Sequence, residues 1–333
     1  MLIPPQAATQ GGCFLFPQAR VQGWTYDLLA SAVQREQLHR VRRGVWIERS
    51  IWDAMDEHGR HLTLVRADLL CSGPGWFAAR RSASIALGLP LIGALPTKSQ
   101  LVAEKRSGAF SRHRKVSPLP ASHVAVRDGI PLTTLSRTAV DEARHESFLS
   151  GVVVADAVLG LGVPLALLRE VLATMHGWPG APAALTVLEF ADGLSESPLE
   201  SLSRVRLHER HLPAPELQIE IRLGDRLLGI ADKVWRAQQV VGEDDGMAKL
   251  GETALDRKDN LKRLYRRGAE IEDTGLVVAR WDWDAAWKNN GAELEDRVLK
   301  AFARAGSRPL HPDLRLVPTT VADRLRRRGR LAS

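Results

Sequence analysis

The stretch LLGIADKVWRAQQVVGEDDGMAK, residues 227–249, decides how the second half of the chain folds. Apolar runs on either side of the polar residues 236–239 predict two short strands, and so short a connection favours an antiparallel hairpin over a helical crossover. Acidic residues interrupt the pattern: Asp232 lies within the first strand, and the acids 243–245 end the second. Acids on a rigid strand pair have fixed positions, so their carboxylates can form a binding site.

The alternation of side chains along a strand predicts how these acids are arranged. Glu243 and Asp245 lie on one face of the strand and Asp244 on the other, and the hairpin register can place Asp232 beside the first two. Like charges in a cluster raise each other's pKa unless a cation lies among them. Carboxylate oxygens suit Mg²⁺, which can polarise a phosphate and activate a water. The alternative is a surface hairpin with a solvated acidic tip; the apolar second strand and Lys249 favour the ion site.

The acidic hairpin is part of a longer set of motifs in the last third of the chain. The segments SPLESLSR (197–204), LPAPELQ (212–218) and VGEDDGMAK (241–249), with Asp232 and Trp235, resemble the small endonuclease domain related to very-short-patch repair endonucleases. That domain belongs to the PD-(D/E)XK nuclease superfamily. The expected order of elements, helix, three strands, helix and strand, matches the nuclease core. The resemblance implies a restriction-endonuclease-like α/β core.

The resemblance also implies catalytic roles for five residues. Glu200 matches the helix acid, Asp232 the metal-bridging Asp and Glu243 the acid of the third strand, with Asp232 and Glu243 as ligands of Mg²⁺. Asp245 occupies the position where the wider superfamily has its lysine. Lys249, one helical turn further on, is the candidate for the missing positive charge; otherwise it is a solvated lysine. Glu200 also lies in the first turn of a predicted helix, where it would serve as a capping acid.

Length and charge limit the classes of protein to which the chain can belong. Its 333 residues are enough for roughly two or three domains. The hydrophobic share of 44% and the charged share of 26% are those of an ordinary globular protein. The net charge of +7 and the isoelectric point near 9.8 favour a polyanionic partner, most commonly nucleic acid. Charge alone does not separate DNA from RNA or from a membrane surface.

Cysteine usage and hydropathy indicate the compartment. Cys13 and Cys71 lie far apart, with no C-x-x-C motif and no His cluster, which argues against a zinc module or a disulfide scaffold and fits a reducing cytoplasm. Residues 1–12 lack the basic segment and apolar core of a signal peptide. The apolar segment 85–95 is too short to cross a bilayer. We therefore expect a cytoplasmic protein without membrane contact.

The beginning of the chain has the pattern of a DNA-binding module. Thr25 is a candidate N-cap for a helix through Gln37, and the basic segment HRVRRGVWI (39–47) follows. Helix, turn, helix and basic hairpin is the order of a winged helix-turn-helix, whose second helix enters the major groove while its wing contacts phosphates. The alternative is a small helical domain with a basic strand packed on its neighbour. Residues predicted to face bases are Tyr26, Gln34, Arg35 and Gln37; those predicted to hold the DNA backbone are Arg40, Arg42 and Arg43.

Three segments of the first half carry a second resemblance. RRGVWI (42–47), RRSASIALGLP (80–90) and SRTAVD (136–141) are similar to AbiEi-type antitoxins. Residues 62–89 have a helical pattern with a break at 72–75. Together the patterns predict a multidomain α/β protein: a winged helix-turn-helix domain (1–50), a mixed helical AbiEi-like middle region (51–191), a nuclease-like domain (192–308) and a basic tail (309–333). From Arg315 onward we expect the tail to be disordered in isolation.

These expectations lead to two hypotheses of different classes. The first is a Mg²⁺-dependent DNA endonuclease whose front domain brings it to DNA. The second is a non-catalytic DNA-binding antitoxin or transcriptional regulator with a degenerate nuclease domain and a cognate toxin protein as a further partner. The sequence also leaves open an enzyme that acts on RNA.

Overall fold

The computed structural model describes residues 2–104, 114–245, 265–305, 308–327 and 329. The chain forms two compact units: the first contains Met1–Val154 and Pro164–Glu189, and the second contains Ala155–Val163 and Phe190–Ser333. Both units combine helices with a β-sheet, so the protein is of mixed α/β class. The boundary predicted at residue 192 lies close to this division. Residues 1–50 belong to the same unit as most of the middle region.

The first unit begins with a small three-stranded sheet. A short 3-10 helix (Pro5–Thr9) precedes β1 (Phe14–Leu15), α1 (Phe16–Val21), α2 (Tyr26–Gln34), β2 (Leu38–Arg42) and β3 (Val45–Glu48). The strand order is β1-β3-β2, with both pairings antiparallel. Thr25 caps α2 as predicted, because its side-chain oxygen accepts a hydrogen bond from the Leu28 N–H at 3.2 Å. The core of this part is made of Phe14, Trp24, Leu29, Leu38 and Trp46.

The remainder of the first unit is built on a five-stranded sheet in the order β6-β5-β4-β8-β7. Its elements in chain order are α3 (Arg49–Asp53), α4 (Glu57–Ser72), β4 (Trp76–Ala78), α5 (Arg80–Ala86), β5 (Leu101–Ala103), β6 (Arg114–Val116), β7 (Val124–Arg127), β8 (Ile130–Thr133), α6 (Leu135–His145), the beginning of α7 (Phe148–Gly160), α8 (Leu165–Ala173) and α9 (Ala181–Phe190). The end of α7, from Ala155 onward, belongs to the second unit. The helical pattern predicted for residues 62–89 is wrong at one point, because β4 lies within it. This strand pairs with β5 and β8, which are distant in the sequence.

The second unit carries the acidic hairpin. It contains α10 (Pro198–Glu209), β9 (Glu216–Leu223), β10 (Arg226–Trp235), β11 (Val240–Asp244), α11 (residues 265–272), β12 (Val277–Trp281), α12 (Trp283–Trp287), α13 (Ala292–Ala305), β13 (Leu314–Pro318) and α14 (Val321–Arg327). The sheet has the order β12-β11-β10-β9-β13. β11 and β12 are parallel and the other neighbours antiparallel. The predicted order of helix, three strands, helix and strand is therefore present.

Most of the tail predicted to be disordered in isolation is folded. β13 pairs antiparallel with β9, where Leu316 lies opposite Ile221. Leu314 and Leu316 pack against the core, so the strand buries apolar surface and satisfies backbone hydrogen bonds at the same time. In α14, Arg324 is buried and donates to the Gly160 carbonyl oxygen at 2.5 Å. The strong basic composition of the segment concealed this pairing.

Candidate functional site

The hairpin register brings the predicted acids together. Val234 pairs with Val241 and Lys233 with Gly242, so Asp232 and Glu243 are the next neighbours on the adjacent strands β10 and β11. Asp232 Oδ2 accepts a hydrogen bond from the backbone N–H of Asp244 at 2.8 Å. The negative charges of Asp232 and Asp245 both act on Glu243. Asp232 and Asp245 thus both lie within electrostatic reach of Glu243.

Glu243 is the most perturbed acid of this group. It is only 4% exposed. Burial, followed by the negative charge of Asp232, raises its pKa to about 8, while Arg267 and Arg280 act in the opposite direction. Its Oε2 forms an ion pair with Arg267. Its Oε1 is buried and has no hydrogen-bond partner among the described residues, so one oxygen of this carboxylate is bare.

Two arginines supply the positive charge next to Glu243. Arg267 reaches it from α11, and Arg280 lies opposite it in the parallel pairing of β11 with β12. Neither arginine was among the site residues predicted from the sequence. The parallel pairing of the last core strand is the signal that could have found Arg280. Lys249, the residue predicted to supply this charge, lies outside the described residues.

Asp244 lies on the other face of the sheet, where buried side chains bind both of its carboxylate oxygens. It forms an ion pair with Lys233, and both side chains are fully buried. Its Oδ1 accepts hydrogen bonds from Ser203 Oγ and Trp281 Nε1, each at 2.7 Å. The contacts join α10, β10, β11 and β12. Gly242 permits this packing, because a Cβ there would lie 2.5 Å from the Trp281 ring. The face opposite Glu243 is therefore a buried polar core.

Glu200 has the contacts of a helix cap. The Ser197 hydroxyl accepts from the Glu200 N–H at 3.2 Å and donates to Oε1 at 2.9 Å, while Oε2 accepts from the Glu196 N–H at 2.8 Å. Ser197 is therefore the N-cap of α10, and the Glu200 carboxylate accepts from the residue before the cap. Gln218 Nε2 also donates to Oε2 at 3.1 Å, and the register places Gln218 opposite Asp232. Glu200 is therefore a capping residue that is linked through Gln218 to the row of acids.

The donor set can be compared with what Mg²⁺ requires. Within the ranges that the structure describes, no group of three or more His, Cys, Asp and Glu side chains is arranged to hold a metal ion. Mg²⁺ in phosphate-processing sites commonly takes only one or two protein carboxylates, the other ligands being water and phosphate. Asp232 and Glu243, with a bare buried oxygen on the latter, fit that smaller set.

The residues predicted to contact DNA fall into two groups. Tyr26, Gln34, Arg35 and Gln37, on and after α2, are exposed, as are Arg40 and Arg43 around the β2–β3 turn. Arg42 differs, since it forms an ion pair with Asp68 of α4. That Arg42 holds the DNA backbone stays a prediction, for a side chain that already has an acidic partner. The pairing of β2 with β3 is irregular between Arg40 and Arg42, so simple alternation does not place its side chain.

Comparison of the sequence with protein-family models and with curated proteins gave no match. The two resemblances are therefore supported only by the sequence motifs that carry them. In the described part of the chain, no helix is both long and apolar enough to cross a membrane.

Proposed function

We propose that the protein is a Mg²⁺-dependent DNA endonuclease that hydrolyses phosphodiester bonds at the acids of its second unit. One observation carries this proposal: Glu243 is buried beside two further acids, Asp232 and Asp245, and its Oε1 has no hydrogen-bond partner in the part of the chain that the structure describes. Burial of a carboxylate without full pairing is costly. A divalent cation at this position would offset that cost, and perturbed acids gathered on a rigid sheet are typical of catalytic sites.

The topology of the second unit supports the same reading. The order α10, β9, β10, β11, α11 and β12, with β12 parallel to β11, is the order expected for a PD-(D/E)XK core. The acids lie on its second and third strands, as that plan requires. The restriction-endonuclease-like core is part of our proposal.

In this proposal the acids of the site bind the metal ion, and the arginines beside them stabilise the phosphate. When bound, Mg²⁺ supplies a charge that polarises a phosphate oxygen and lowers the pKa of a water. Asp232 and Glu243 would hold it, and the hydrogen bond from the Asp244 N–H fixes the orientation of Asp232. Asp245 cannot supply the positive charge of the usual lysine. Arg267 and Arg280, next to Glu243, are placed to stabilise negative charge on the phosphate.

The first unit supplies a surface for DNA. Its three-stranded sheet with α1 and α2 has the element order of a winged helix-turn-helix, with Gln34 and Arg35 exposed at the end of the second helix. Arg40 and Arg43 are exposed at the hairpin that would serve as the wing. The net charge of +7 favours the same partner.

Cleavage of supercoiled plasmid DNA tests the proposal. We expect nicking or cutting with Mg²⁺ and none with EDTA, and a loss of at least about a hundredfold in Asp232→Asn and in Glu243→Gln. The control is Asp225→Asn, which makes the same change at an exposed acid in the turn between β9 and β10. Wild-type cleavage by Asp232→Asn would end the assignment.

A non-catalytic regulator is the second candidate, and the ion pair between Arg267 and Glu243 favours it. This contact already compensates one oxygen of the carboxylate, and position 245 carries an acid where a nuclease has its lysine. Such a regulator would bind a promoter fragment with sequence preference, would not cut it in the presence of Mg²⁺ or Mn²⁺, and would have a toxin as a protein partner. Gel-shift and cleavage experiments on the same fragment separate the two candidates.

A further inference from the structure

A second site candidate lies in the first unit and shares no residue with the acidic site of the second. It is a pocket of about 210 Å³ between β5, β6, α6 and the turn at residues 178–179. Four cationic side chains and a single carboxylate line it together with a tryptophan. We call it the basic pocket and define it by Arg80, Lys115, Arg137, Asp141, Arg144 and Trp178.

The single carboxylate of the basic pocket is fully engaged. Arg137 Nε donates to Asp141 Oδ2 at 2.9 Å, and Arg144 Nη1 donates to Asp141 Oδ1 at 3.0 Å. The three residues lie on one face of α6, at spacings of four and three. Arg137 and Arg144 are nearly buried, with side chains only 2% and 4% exposed. One negative charge thus lies between two buried guanidinium groups.

Trp178 holds both guanidinium groups in place. Their central carbons lie 5.6 Å (Arg137) and 4.9 Å (Arg144) from the centroid of its ring. Arg144 Nη2 also donates to the Pro179 carbonyl oxygen at 2.8 Å. At Gly180 φ is +79°, and a Cβ would lie 2.1 Å from the Arg144 carbonyl oxygen, so glycine is required for the turn to approach α6. The cations are therefore positioned before any ligand binds.

The positive charge at the rim of the basic pocket is only partly balanced. Lys115 Nζ lies 3.3 Å from His145 Nε2, and His145 Nδ1 lies 2.9 Å from the Asp141 carbonyl oxygen. Burial lowers the pKa of His145 to about 4, so the ring is neutral and its Nε2 accepts from Lys115. No carboxylate of the described residues forms an ion pair with Lys115. Its pKa is lowered, first by partial burial and then by Arg80 and Arg144.

Two guanidinium donors in the basic pocket also lack acceptors. Nε of Arg80 and Nε of Arg144 are buried without a hydrogen-bond partner in the part of the chain that the structure describes. Arg80 pairs with Glu146 at 3.4 Å, and its φ of +51° is a strained conformation for a residue with a side chain. Buried donors without partners and strained backbone are unfavourable in isolation, and both occur where ligands bind.

We propose that the basic pocket binds a small phosphorylated ligand through its phosphate group. The negative charge of a phosphate would balance the excess positive charge of the pocket, and its oxygens would accept hydrogen bonds from the cations. The planar guanidinium group of an arginine also matches the geometry of a phosphate. The depth of Arg137 and Arg144 favours a small molecule, because the backbone of a duplex cannot reach side chains that are nearly buried. A volume of about 210 Å³ holds a phosphate together with part of the group that carries it.

Binding of inorganic phosphate, pyrophosphate and AMP to the full chain, measured by calorimetry at constant ionic strength, tests the proposal. We expect saturable binding of at least one probe to the wild type. Lys115→Gln should weaken it at least tenfold, because the substitution removes a charge at the rim and keeps most of the side chain. The matched control is Lys98→Gln, an exposed lysine of the same unit outside the pocket, which should bind like the wild type. Both variants should keep the wild-type Tm without ligand.

Three results would overturn the proposal. The first is the absence of binding by all three probes. The second is equal affinity in Lys115→Gln and in the wild type. The third is duplex DNA binding that falls in Lys115→Gln while none of the small probes binds, which would make the pocket part of a DNA surface.

Discussion

Replacing Asp244 by Asn is expected to destabilise the second unit strongly, whereas replacing its neighbour Glu243 by Gln is not. The two side chains lie on opposite faces of β11. Asp244 is the ion-pair partner of the fully buried Lys233 and accepts two further hydrogen bonds. Oε1 of Glu243 has no hydrogen-bond partner among the described residues, and the side chain of Arg267, which pairs with Oε2, is 34% exposed. Of these two adjacent acids, Asp244 is therefore expected to contribute to the stability of the folded unit, and Glu243 is not.

The size of the difference follows from the surroundings of the two acids. Removing one partner of a buried ion pair costs about 3 to 5 kcal/mol, because the other charge is left uncompensated. A unit of this size loses about 2 to 4 °C of Tm per kcal/mol, so Asp244→Asn should lower the Tm by about 10 °C. Glu243→Gln puts a neutral amide in place of a buried carboxyl group whose raised pKa already disfavours its charged form, and it removes only the contact with the partly exposed Arg267. Its Tm should therefore stay within about 2 °C of the wild type or exceed it.

Scanning calorimetry in EDTA measures both variants under the same conditions. EDTA keeps divalent cations from stabilising the wild type alone. If Asp244→Asn melts within about 2 °C of the wild type, or if Glu243→Gln loses more than Asp244→Asn, the assignment of the two acids to a structural face and a functional face is wrong.

Three further outcomes concern the first unit. Burial raises the pKa of Glu142 from 4.5 to about 7, so the folded state keeps a proton that the unfolded chain releases, and the unfolding free energy should fall by about 3 kcal/mol as pH rises through that window. Denaturation by urea at about pH 5 and about pH 8 should show a loss that is smaller in Glu142→Gln than in the wild type by about this amount, since other buried acids such as Glu243 titrate in both proteins; equal losses in the two proteins would contradict it. Gly180→Ala should lower stability by about 1 kcal/mol or more, since its Cβ would meet the Arg144 carbonyl oxygen, and an unchanged Tm would refute this. Arg43→Ser should weaken duplex binding equally for all sequences and reduce the salt slope by about one in anisotropy titrations, while Arg42→Ser, at a residue paired with Asp68, should leave the slope unchanged.

Much of the second unit could be predicted because its signals are local. The polar residues 236–239 fixed the hairpin, and the period of two along β11 separated Glu243 from Asp244 before any contact was known. Ser197 and Glu200 form the cap that their spacing indicated. Each of these features depends on residues a few positions apart, where backbone geometry leaves few alternatives.

The features that sequence reasoning missed depend on pairings across long separations. β4 was concealed in a helical pattern, and β13 in a basic segment, because each strand is defined by a partner far away in the chain. Arg42 was predicted to meet DNA, yet Asp68 lies within its reach. A charged residue in a sequence does not reveal its partner, since the partner is set by packing.

The sequence by itself determined the hairpin, the faces of its acids, the basic character of the chain and the ends of several helices, because propensity and periodicity act over a single turn or strand. Only the tertiary structure decided that arginines of α11 and β12 lie next to Glu243, that Lys233 and Asp244 are buried together, and that α6 and a turn distant in the sequence enclose a basic pocket. Electrostatic energies depend on distance and burial, and both are fixed only when remote segments pack.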